Sequence, residues 1–122
     1  MKHYTTKRQS YLLMELGIPE ETADMVYENT GWVSLDYPTI RTTGKIGGNT
    51  PCWTTGQLLD VYRAVRKFLT GKYYNLRILQ EDEINCETII EELQCVYSHI
   101  HKHYDCSNEN IRDWYDFSKI TL

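Results

Sequence analysis

The stretch from Asn85 to Tyr104, NCETIIEELQCVYSHIHKHY, decides how the rest of the chain is read, because it carries the longest regular pattern together with a dense cluster of reactive side chains. At ~100° per residue, Cys86, Ile89, Ile90, Leu93, Val96, Tyr97, Ile100 and Tyr104 fall within a band of roughly 120°. That spacing predicts one long helix with a single buried side. Cys95 lies opposite the band, His99 near the far side, and His101 and His103 on the flanks. Cys95, His99 and His103 share a face, yet residues i and i+8 sit ~12 Å apart along a helix. Zinc bonds are only ~2.0–2.3 Å long, so one ion cannot take all three. A two-ligand clip at His99 and His103 is the remaining metal arrangement, completed by Asp105 or Cys106. Structural zinc draws its ligands from two elements, and His3 is the only histidine outside this stretch. The expectation is therefore a solvated helix face, with no metal and no cofactor.

The totals suit one domain spanning residues 1–122, long enough to bury roughly two thirds of its unfolded surface. Hydrophobic residues make up 41% and charged residues 25%, which argues against disorder. No apolar run exceeds four residues, against the ~20 that cross a bilayer. Glu15 stops the only early apolar patch, Tyr11 to Met14, so a signal peptide is not expected. The expected compartment is the cytoplasm, where Cys52, Cys86, Cys95 and Cys106 stay as free thiols.

Upstream, Thr6 and Gln9 have capping-box spacing ahead of a helix from Lys7 to Leu16. Gly17 is placed as its left-handed cap and Ile18 as the accompanying apolar contact. Pro19 is read as opening a second short helix, with Ala23, Met25, Val26 and Tyr27 on its inner face. Trp32 to Tyr37 reads as a strand, and 38–51 as a long glycine-rich loop. Thr54 and Gln57 form a second capping box before a strongly amphipathic helix carrying Leu58, Val61, Tyr62, Val65 and Leu69. Lys72 to Leu79 reads as another strand, Glu81 to Glu83 as a charged turn, and a final short helix follows Ser107. The fold class expected is α+β, with about five helices on a two- to three-stranded antiparallel sheet.

The loop 41–50, with Arg41, Lys45 and three glycines, invites a phosphate reading. It matches neither the P-loop, since Ile46 stands where Ser or Thr is needed, nor the dinucleotide fingerprint. Cys52, near a helix start beside Trp53, is the better-placed thiol for nucleophilic work, although a small buried packing role is the commoner use of such a residue. Arg41, Lys45, Cys52 and Trp53 are thus the ligand candidates, for an anionic nucleotide-like molecule or for thiol catalysis. Ten tyrosines and three tryptophans favour an interface reading, with Tyr4, Tyr37 and Tyr73 outside the clear core stripes. Nucleic-acid binding by Trp53, Arg63, Arg66, Lys67 and Arg77 is set against a net charge of −4 and is not expected.

Three segments resemble those of short uncharacterised proteins from Bacteroides-type bacteria and their mobile elements. They are Leu16 to Met25 (LGIPEETADM), Pro51 to Leu59 (PCWTTGQLL) and Tyr73 to Leu76 (YYNL), in the family's order and covering about a fifth of the chain. The resemblance implies shared turn and helix-start chemistry and carries no activity with it. Two departures stand out: the helix after Trp53 runs on to Leu69, and the segment after Ile78 passes quickly to a helix. The combined expectation is a non-enzymatic protein that acts by binding another protein, with no membrane partner.

Overall fold

The computed structural model describes residues 3–28, 37–40, 49–69, 76–103, 117, 120 and 122, with His103 described by its backbone alone. Helix α1 spans Lys7–Glu15, α2 Thr55–Leu69 and α3 Cys86–His103; the strands are β1 Met25–Tyr27, β2 Thr39–Ile40 and β3 Thr50–Cys52. The class is α+β with a three-stranded antiparallel sheet in the order β2-β1-β3. Among the described residues no helix is long and apolar enough to cross a membrane.

Local chemistry accounts for α1 at both ends. Thr6 accepts the Gln9 amide at 3.1 Å and the Gln9 side chain takes the Thr6 amide at 2.9 Å, closing the expected capping box. At the far end Gly17 adopts φ +85°, while Gly17 and Ile18 donate back to Met14 and Leu13. That pair of bonds, with Ile18 buried, is the Schellman arrangement.

The second expected helix is a correction. After a single 3-10 turn at Glu20–Thr22 the chain straightens into β1. Gln57 Nε2 donates to the Thr22 carbonyl at 2.6 Å, and β1 pairs with β2 and β3 instead of coiling. The loop reading of 38–51 is also corrected where it is described, because its two ends are β2 and β3. Pro51 lacks an amide proton, and a terminal strand can spare one. In register, Met25 faces Ile40 and Cys52, Val26 faces Thr39 and Pro51, and Tyr27 faces Thr50.

The expected strand over 72–79 fails in its described part, since residues 76–80 have no regular structure. Leu76 and Leu79 are buried while Arg77 and Ile78 are exposed, a spacing of three rather than alternation. The Leu76 and Arg77 carbonyls accept from Arg66 Nε at 3.1 Å and Tyr62 Oη at 2.6 Å, so side chains of α2 replace a partner strand. Three α-helices are therefore seen among the described residues rather than about five. The expected final helix, apart from Phe117, which is buried in the core, and residues 32–36 of the first expected strand lie outside the described residues, and Tyr37 is a bend.

The core is a helical layer closed by α1. Helix α2 packs on α3, and α1 packs on both α3 and β3. The stripe on α3 is inward as expected: Ile89, Leu93, Val96 and Ile100 are fully buried, with Leu58, Val61 and Val65 of α2 facing them in one cluster. Asn85 caps α3, accepting the Thr88 amide at 2.8 Å.

Candidate functional site

The polar side chains best organised by the fold meet around Thr5, where the N-terminal segment, β1, β3 and the start of α2 converge. Thr5 is fully buried, so every one of its polar atoms needs a partner. Its amide donates to the Trp53 carbonyl at 2.9 Å, and its carbonyl accepts the Tyr27 hydroxyl at 2.7 Å and the Cys52 thiol at 3.4 Å. Its hydroxyl pairs with that of Ser10 at 2.8 Å and accepts the Trp53 amide at 3.1 Å. The amide of Thr55 donates to the His3 carbonyl, so this segment runs antiparallel alongside 53–55.

A second ring of bonds ties 19–24 to the same place. Trp53 is fully buried, and its Nε1 donates to Thr22 Oγ1 at 2.9 Å. That hydroxyl in turn donates to the Pro19 carbonyl at 2.6 Å. The Asp24 carboxylate accepts the Thr54 amide at 2.9 Å and the Thr54 hydroxyl at 2.6 Å. Thr54 still caps α2, accepting the Gln57 amide at 3.2 Å. The Gln57 side chain, however, reaches across to Thr22, and Asp24 supplies the reciprocal half of the expected box. Two of the three segments quoted for their resemblance, 16–25 and 51–59, are thus bonded to each other.

The electrostatics of this knot favour neutral groups. Burial pushes the Cys52 thiol above its ordinary value, although bonds to Thr5 and Tyr27 pull the other way. Burial likewise raises the Tyr27 phenol, and the neighbouring Cys52 adds to it. Cys86, held near Thr55 Oγ1 at 3.4 Å, is raised by burial too. A nucleophilic cysteine needs the thiolate, so this environment works against one. Hydroxyls and amides here are consumed by one another, and the arrangement serves to hold four chain segments together.

The sequence candidates are scattered. Cys52 and Trp53 lie inside the knot at 0% exposure, away from any surface a ligand reaches. Arg41, Lys45 and Tyr73 lie outside the described residues. Tyr4 is half-buried and bridges to Thr54, whereas Tyr37 is 60% exposed. On α3, Cys95 is exposed and His99 half-buried; His101 stacks on Tyr97 at 4.1 Å. Among the described residues no three His, Cys, Asp or Glu side chains gather closely enough to hold a metal ion.

Of the basic residues considered for nucleic acid, Arg63, Arg66 and Lys67 stand within about one turn on the exposed side of α2. The Arg77 guanidinium forms a two-pronged bond to Glu83 and a third contact to Glu92 at 2.9 Å, which lowers the Glu83 carboxyl and holds the arginine proton more firmly. Arg66 bonds the Leu76 carbonyl and Arg63 stands 3.8 Å from Asp60. Two features escaped sequence reasoning. Ile40 is 75% exposed on β2, and no periodicity marks so short a strand. The partnership of Asp24 with Thr54 spans thirty residues and leaves no local signal. No protein-family model matches the chain, and no curated protein or solved structure matches it either.

Proposed function

We propose that the chain acts by binding another protein and has no catalytic role of its own. The observation that supports this most is the sheet edge. β2 is terminal in the described sheet, and its Ile40 and the nearby Tyr37 stand 75% and 60% exposed. A strand edge with outward apolar side chains is suited to a partner that adds a strand or covers the patch. Tyrosine is also a favoured contact residue at such surfaces. Thiol catalysis at Cys52 has less support, because the sulfur is buried and its ionisation is opposed there. The cytoplasm is proposed as the compartment, in keeping with Cys52, Cys86 and Cys95 being unpaired. An accessory role on a mobile element is proposed on the resemblance alone.

The test is co-purification of the tagged chain from its native host, beside a variant carrying Tyr37→Ala and Ile40→Asp. A partner retained in near-stoichiometric amount by the wild type, and lost from a variant with unchanged helical circular dichroism, is the expected result. Equal retention by both chains would overturn the surface assigned. A nucleotide that raised the melting temperature without any protein partner would favour the ligand reading built on Arg41 and Lys45 instead.

A further inference from the structure

We draw no further inference here: the strongest candidate, the cleft between the first turns of α1 and α3 lined by Tyr4, Gln9, Asn85 and Glu87, rests on two helix N-termini already capped by Thr6 and Asn85, with no second observation that points to a ligand.

Discussion

The knot around Thr5 and the outer face of α3 hold similar kinds of side chain and treat them in opposite ways. In the knot, Thr5, Thr22, Cys52, Trp53 and Tyr27 are buried, and the side-chain polar atom of each meets a partner at hydrogen-bond distance. On α3, Cys95 and His101 are exposed and His101 stacks on its own helix. A dense run of thiols and imidazoles looks more like chemistry in one dimension than threonines dispersed over fifty positions. Three-dimensional burial reverses that order. Removing a partner from a buried bond leaves an unsatisfied group, whereas a solvated one rebinds water. Stability should therefore be sensitive in the knot and indifferent on α3.

The largest break is expected from Trp53→Ala. It empties a fully buried indole and leaves the Thr22 hydroxyl oxygen without its donor, for a loss of about 3–5 kcal/mol in chemical denaturation. Loss below about 1 kcal/mol would mean that the knot is not packed as described.

Raising the pH attacks the same region without mutation. Tyr27, Cys52 and Cys86 all have folded pKa values raised by burial, so each stays neutral in the native chain beyond the point where it ionises when unfolded. The unfolded chain then binds fewer protons than the native one, and stability falls as pH rises. The decline should begin near pH ~8.5 for the thiols and strengthen near ~10 for the phenol. Each thiol that ionises only on unfolding removes about 1.4 kcal/mol per pH unit. Denaturant midpoints measured at successive pH values should show this slope, and Cys52→Ala should make it shallower. An identical slope in the variant would remove Cys52 from the account.

Asp24→Ala is expected to cost less, about 1.5–3 kcal/mol and toward the lower end, because the carboxylate is only half-buried while losing two bonds to Thr54. Asp24→Asn keeps one acceptor and should lose less than the alanine variant. If both are neutral, water replaces the carboxylate and the link from 24 to 54 is dispensable.

The same contrast governs what could be read from sequence. Helices α1, α2 and α3 were legible because their information is local: the caps at Thr6 and Thr54, the glycine at 17, and stripes such as Leu58, Val61 and Val65 lie within a few residues of one another. The antiparallel sheet was legible in class and size but misplaced along the chain. β1 was read as a helix because Ala23, Met25, Val26 and Tyr27 suit either state. The state observed is the one paired across the chain, with Met25, Val26 and Tyr27 facing Cys52, Pro51 and Thr50. The segment 38–51 reads as a loop, although Pro51 lies in a strand where no amide is demanded. Of the proposed surface, Tyr37 is offered by composition alone, and Ile40 beside it is not, since a two-residue strand gives no period.

The smallest expected effect probes the α3 side of the comparison. Cys95→Ala should leave stability within about ±0.5 kcal/mol, the usual range for exposed surface positions. Reactivity gives a sharper reading than stability there. In a Cys106→Ala background, three thiols remain, of which Cys95 is exposed and Cys52 and Cys86 are buried. A thiol reagent added to the native chain should titrate one group at once and the other two only after denaturant is added. Thiolate, not thiol, is the attacking species, so burial slows Cys52 and Cys86 twice, by limiting access and by opposing their ionisation. Rapid reaction of all three would show that the knot opens on the timescale of the assay. If none reacted, Cys95 would be covered, and the outer face of α3 would then be the surface to examine for a partner in place of the β2 edge.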